Sequence, residues 1–235
     1  MIVSVHQPHY IPWPGYFAKI FHSDIFVYYD DAQFVKNTYV NRNKLLFNGD
    51  LSFITVPVLK GSSKDSINKK IIVDDKWKIK HLNSLKTYYS KSPNYRILLD
   101  MYNEILDFNS LSLCELNIFT IKTICRYLGI HTETFLSSDI VKENDDSTMK
   151  LIDIVERHNG KTYLSGTQGS KYLDCHFFTK KKIKIVFGEF QSSHYTHILS
   201  NKPTSGASII DMIAHFSPEF ILAYIRNNYL IRSCE

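Results

Sequence analysis

Only four cysteines occur, Cys114, Cys125, Cys175 and Cys234, widely spaced and without a CxxC pair. No secretory signal pattern is read ahead of them, so the expectation is free thiols in a reducing, cytoplasmic setting. Cys114 and Cys125 fall within an apolar helical pattern and read as core fillers. No uninterrupted apolar run approaches the roughly 18–20 residues that a membrane-spanning helix needs, so no transmembrane segment is expected. There is no Walker pattern and no GxGxxG, so no tightly bound cofactor of the ATP or dinucleotide kind is expected. No GxSxG elbow presents a nucleophilic serine. Repeats, low-complexity stretches and clear linkers are missing as well. The net charge of +5 is small, and runs such as Lys180-Lys181-Lys182 are short enough to be solvated loops. That speaks against a DNA groove and leaves a phosphate-bearing partner permitted.

Aromatic side chains are plentiful, with 15 tyrosines and 15 phenylalanines spread along the chain, so a full core can form. The densest chemistry lies in the stretch His6-Gln7-Pro8-His9-Tyr10-Ile11-Pro12-Trp13-Pro14-Gly15-Tyr16. An apolar run over residues 1–5 predicts a buried strand, which the prolines must end near Gln7. Helical spacing resumes at Tyr16, Phe17 and Ile20 after Pro14-Gly15. Two imidazoles and several rings are therefore set at the carboxyl end of a strand, where open α/β sheets bind ligands. Ordinary rigid loops also use prolines and aromatics, and a histidine after a strand is often only structural.

A second strand is predicted over residues 25–29, ending at Asp30-Asp31. Adjacent acids at a strand exit bind a hydroxyl, an amine or a divalent ion, or simply cap the next turn. The Asn41-Arg42-Asn43 loop offers amide donors and a guanidinium suited to phosphate or carboxylate. Asn48-Gly49 between two β-rich runs predicts a hairpin, and residues 71–73 a short strand. Apolar stripes at helical spacing then predict helices over 76–89, from Ser92-Pro93 onward with proline at N1, and over 112–128 with Gly129 as the C-terminal cap. Residues 134–136, 161–164 and 183–187 read as strands, 147–155 as a helix capped by Ser147-Thr148, and 208–216 and 218–231 as closing helices. The loop Ser165-Gly166-Thr167-Gln168-Gly169 is suited to cradling an anion against a helix N-terminus, or is a plain βα turn. The expected fold is α/β: a mixed or mostly parallel sheet with a β-hairpin and an inserted helical segment around 76–130. The expected organisation is one domain over 1–235, with 76–130 as a candidate helical subdomain.

The chain resembles the WbqC-like family of bacterial proteins. His6-Gln7-Pro8-x-Tyr10-x-Pro12-Trp13-x-Gly15-Tyr16-Phe17-x-Lys19-Ile20 carries most of the likeness. Asp30-Asp31-x-Gln33-Phe34-x-Lys36, Asn41-Arg42-Asn43, Tyr163-Leu164-Ser165-Gly166, Tyr172-Leu173 and Ser208-Ile209-Ile210-Asp211 follow in order. Tyr195-Thr196-His197 and Ile213-Ala214-His215-Phe216 are points of departure. Proteins of this kind are encoded among surface-polysaccharide (O-antigen) genes. The resemblance implies transfer of an acyl or aminoacyl group, such as glycyl, to the amine of a nucleotide-activated amino sugar. The donor is then expected to arrive activated, as a carrier-protein thioester or an aminoacyl-tRNA.

Amide formation needs a base, and imidazole is the natural one. His6 is the candidate base, with Asp30 or Asp31 orienting it or the ammonium. Arg42, with Asn41 and Asn43, is the candidate holder of a diphosphate or phosphopantetheine, and Tyr10, Trp13 and Tyr16 are candidate stacking surfaces. Backbone amides at Ser165 and Gly166 are candidate oxyanion donors. Gln7, His9, Gln33, Lys36 and Tyr172 complete the expected substrate contacts. Three other readings stand beside this one: an HxxH nucleotidyltransferase-like site, a metal site from His6, His9 and Asp30 or Asp31, and a non-catalytic sugar- or carrier-binding protein. Cys175 as a nucleophile is the weakest of the readings.

Overall fold

Ile2–His6 (β1) is buried on both faces and sits at the centre of the sheet, as an apolar N-terminal run demands. It runs parallel to Ile25–Tyr28 (β2) on one side and to Thr162–Gly166 (β6) on the other. The computed structural model describes residues 1–143, 146–192, 195–197, 202–204 and 206–234. Beyond β2 lies Glu133–Leu136 (β5), and beyond β6 lie Lys184–Phe190 (β7) and Tyr229–Ser233 (β10), giving the order β10-β7-β6-β1-β2-β5. Only β10 is antiparallel to its neighbour. The sheet is therefore the mostly parallel, mixed one expected.

Period-2 alternation sends the side chains of each strand to opposite layers. Val3, Val5, Ile25, Val27, Tyr163 and Ile185 pack with Ser147–Arg157 (α5) and Cys175–Lys180 (α6). Phe26, Tyr28, Leu164 and Val186 pack on the other side, in the core formed with Pro14–Phe21 (α1), Lys76–Tyr89 (α2), Tyr95–Asp107 (α3), Leu113–Leu128 (α4), Ile209–His215 (α7) and Pro218–Asn227 (α8). Segment 76–130 thus shares a core with the first helix of the chain. Between β2 and α2 stands the hairpin Arg42–Phe47 (β3) and Asp50–Thr55 (β4). Its turn has Asn48 at φ 52° and Gly49 at φ 93°, which is why the pair Asn-Gly announces it. Tyr195–His197 (β8) and Lys202–Thr204 (β9) form a second, two-stranded ribbon. The side chains of Tyr195, Thr196 and His197 lie outside the described residues.

Several local expectations are corrected. Residues 71–73 make only isolated bridges, Ile72 to Val58 and Ile71 to Ser112. Ser92-Pro93 forms a turn ahead of α3, whose N-cap is Asn94. Asp146, not Ser147-Thr148, caps α5, its carboxylate accepting from Thr148 N–H and Met149 N–H. The helix expected to run to 231 stops at Asn227, because residues 229–233 find an open sheet edge and pair with β7. His215, at the second departure, is a core residue of α7, its Nδ1–H donating to the Asp211 carbonyl.

The expectation of four free thiols fails for two of them. Cys175 and Cys234 form a disulfide, which also removes Cys175 as a nucleophile in this state. Their separation of 59 residues conceals the proximity, but α6 packs against β7 and β10 pairs with β7, so both reach one place. Cys114 is buried and free as expected, and Cys125 is half-buried and free. No helix among the described residues is long and apolar enough to cross a membrane.

Candidate functional site

From β1 the strand order runs outward one way through β2 and the other way through β6, so the topology reverses between β1 and β6. A crevice at the carboxyl ends is required at such a point. There lies a cavity of about 530 Å³, lined by His6, Gln7, Trp13, Gly15, Tyr16 and Lys19 from β1 and α1. Its far wall is Tyr163, Ser165, Gly166 and Gly169 from β6 and the following turn, with Gly188, Glu189 and Phe190 from β7. Tyr29, Tyr172 and Tyr229 are among the other lining residues.

His6 is oriented by its neighbour. Its Nδ1 lies 3.1 Å from the Gln7 carbonyl, which also accepts the Tyr16 hydroxyl at 3.0 Å. A carbonyl only accepts, so Nδ1 carries the proton and Nε2 keeps its lone pair. Burial, then the charges of His9 and Lys19, hold the imidazole well below its usual range, so it is neutral at pH 7. His9 packs edge-on to it, with ring centroids 4.7 Å apart, and burial pushes its pKa down to about 3.

The loop between β1 and α1 is held by polar side chains from distant elements. Asn43 donates from Nδ2 to the Tyr10 carbonyl at 3.1 Å and the Ile11 carbonyl at 2.9 Å. Asn117 donates to the Pro8 carbonyl, and the Ser208 hydroxyl to that of Ile11. These bonds keep Ile11 at φ 35°, a conformation costly for a β-branched residue. Gly15 is a glycine because an added Cβ would lie 2.3 Å from the Trp13 ring, which rests over it and meets Phe190 edge-on. Gly15→Ala is expected to leave the fold intact, since only the end of a side chain is in the way, but to expel the indole from the cavity wall. A red-shifted, more quenchable Trp13 emission at unchanged circular dichroism is the expected reading; an unmoved spectrum contradicts it.

Of the residues singled out in the sequence, His6, Gln7, Trp13, Tyr16, Ser165, Gly166 and Tyr172 converge on the cavity. The other candidate catalytic and substrate-contact residues do not line it. His9 is packed behind His6. Tyr10 is a core residue, not a stacking platform: its hydroxyl is 2.5 Å from that of Tyr102 and 3.0 Å from His81 Nδ1. Asp30 is a buried cap, accepting from Ser138 N–H, the Ser137 hydroxyl and Asn68 Nδ2. Asp31 pairs with Lys142. Gln33 is exposed and donates to the Ser63 carbonyl, and Lys36 is exposed. Asn41 holds the Val56 carbonyl, and Arg42 lies 4.1 Å over the Phe53 ring. Sequence reasoning credited this stretch, in which Arg42 and Asn43 open β3 and do not form a loop, with phosphate binding because its donors were countable and its carbonyl partners were not. The anion cradle after β6 is a 3-10 turn, Thr167–Lys171, rather than the start of a long helix. Among the described residues no group of three His, Cys, Asp or Glu side chains is placed to hold a metal ion.

Lys19, Glu189, Phe190 and Tyr229 were missed. The signal for Lys19 was its position: a lysine between Ala18 and Ile20 in a helix whose other residues from 14 to 20 are buried. Burial pushes its pKa down to about 7.

Buried neutral bases make stability depend on acid. His9 titrates at about 3 and His81, also through burial, at about 4, against 6.5 when unfolded. Both are depressed, so their contribution is complete above about pH 6.5 and is lost as pH falls towards the folded values. The slope approaches ~1.4 kcal/mol per pH unit for each group. The urea midpoint is therefore expected to drop steadily from pH 6.5 to 4.5, more shallowly in His81→Gln; a flat midpoint over that window contradicts it.

The family model of the WbqC-like proteins matches residues 7–222. A Mycobacterium tuberculosis protein described as uncharacterized is 30% identical over 219 residues, covering 92% of this chain and 94% of that protein. No solved structure matches the chain.

Proposed function

The chain belongs to the WbqC-like protein family, and from that premise we propose that it transfers an acyl or aminoacyl group, such as glycyl, to the amine of a nucleotide-activated amino sugar. The observation that carries this reading is His6: a neutral imidazole, its Nδ1–H fixed by the Gln7 carbonyl, on the wall of the switch-point cavity. In the proposed step the sugar amine attacks the carbonyl carbon of an activated acyl donor. His6 Nε2 takes a proton from nitrogen as the C–N bond forms, and the donor's sulfur or oxygen departs with the electron pair of the broken bond and takes that proton from His6 to leave as a thiol or hydroxyl. Trp13, Tyr172 and Phe190 provide faces for the sugar or base, and the backbone of the turn at Gly166 to Gly169 provides donors for the developing oxyanion. Asp30 has no part in this scheme, since its carboxylate is committed to the 137–139 turn. The HxxH alternative is disfavoured by the position of His9 behind His6.

Substrates of this kind place the reaction in the cytoplasm, as part of an O-antigen-like surface-polysaccharide pathway. Activity is then expected with the Cys175–Cys234 pair reduced. The test is a mass-spectrometric assay of nucleotide-4-amino sugars with thioester and aminoacyl-tRNA glycine donors. A glycyl-sized mass gain that disappears in His6→Ala supports transfer. Ligand binding without product from any pair, unchanged by the substitution, points to a binding protein instead.

A further inference from the structure

Lys19 has no role in that scheme, yet it is the least ordinary residue of the cavity. It is 5% exposed, and its Nζ donates to the Val5 carbonyl at 2.9 Å. No carboxylate among the described residues pairs with it, and the cavity's own carboxylate, Glu189, is 3.3 Å from Arg232. Taking an ammonium out of water costs several kcal/mol unless a counter-charge meets it. A structural lysine at this position would be replaced by methionine or leucine at a gain, so the charge points to a ligand of opposite sign.

The surroundings agree. Helical side chains lean towards the N-terminus, so Lys19, four residues after Gly15, extends along the face where α1 begins. The first turn of α1 borders the same cavity through Gly15 and carries no acidic residue to neutralise its positive end. Across from it, a Cβ built on Gly166 meets nothing within 4 Å, so the backbone there is open to a close-lying group. The guanidinium that the sequence offered for this task, Arg42, lies instead over Phe53, outside the cavity.

We propose that Lys19, with the first turn of α1, is the seat for the phosphate of the substrate, facing the glycine turn after β6. This deepens the reading above and rests on the cavity being the substrate site. The phosphate oxygens accept from the Lys19 ammonium and from the Gly15 N–H, since Pro14 has none and that of Tyr16 is taken by the Trp13 carbonyl, and the sugar amine extends towards His6.

The probe is inorganic pyrophosphate, titrated calorimetrically at pH 6.5 into wild type, Lys19→Met and Lys19→Arg. Lys19→Met removes a buried charge while keeping volume, so its melting temperature is expected to equal or exceed that of wild type. Its pyrophosphate affinity is expected to fall 30-fold or more, with partial recovery in Lys19→Arg. Affinity that survives Lys19→Met, or that is lost in Arg42→Met instead, overturns the assignment, as does a wild type that binds acetate but not pyrophosphate. Lys19-dependent pyrophosphate binding together with no acyl product would leave the anion seat standing and remove only the transfer reaction.

Discussion

His6→Gln is expected to slow transfer by roughly 10²–10⁴-fold, the range for losing a positioned general base. Glutamine keeps the size of the side chain and can still donate to the Gln7 carbonyl, but it has no lone pair of suitable basicity to take a proton from an amine. Affinity for the nucleotide-sugar should therefore change little, which separates loss of chemistry from loss of binding. The pH profile adds a second reading. His6 lies well below its usual range, so the base form dominates at pH 6.5 and above, and the acidic limb of kcat/KM must fall below that value. Lys19, pushed down to about 7, loses its charge as pH rises past neutrality, so KM should climb towards pH 8. A rate set by His6 alone would keep the first limb and lack the second. Equal rates for wild type and His6→Gln would end the role proposed for it.

Asn43→Ala is expected to destabilise the protein by about 2–5 kcal/mol. One amide satisfies two buried carbonyls, Tyr10 and Ile11, and its oxygen accepts from Lys44 N–H. Deleting it strands buried polar groups at about 1–3 kcal/mol each and leaves Ile11 held in its strained conformation by the Ser208 hydroxyl. Arg42→Ala, one residue away, loses a cation–π contact of about 0.5–1 kcal/mol. Denaturant midpoints of the two variants check the contrast; similar losses would mean that the loop is not held as described. Because the same loop joins His6 to Trp13, Asn43→Ala should also reduce transfer more than its stability loss predicts.

Those two neighbours show where the sequence was legible. Elements whose cause is local were readable: β1 and β2 from apolar runs, the hairpin from Asn48-Gly49, and α4 from Ser112 at one end and Gly129, at φ 71°, at the other. The end of the chain misled, because residues 229–233 become a strand only where β7 offers an edge, and no periodicity within α8 reports that. Site residues divide in the same way. His6 was legible because a strand, a proline loop and an imidazole occur together. Asn41 and Asn43 were assigned to a phosphate because an amide N–H donates to a carbonyl as readily as to a phosphate, and Asp30 to an amine because a carboxylate accepts from a turn's N–H and O–H groups as readily as from an ammonium. Which they meet depends on what folds over them from residues 10, 56 and 137. Lys19 went unassigned for the opposite reason: the sequence shows a lysine in a helix, and only the packing shows that it is buried and that no carboxylate among the described residues meets it.

The central place of β1 carries a consequence for how the protein is made. β1 can pair early with β2, its close neighbour in sequence, but its other edge waits for β6, which is made far later. Until then a short, apolar, hydrogen-bonding edge stands open beside the future cavity, and loop closure across so many residues is slow. A nascent chain of this kind is a natural client for a holding chaperone, and a truncation ahead of β6 would leave both an aggregating edge and half a site.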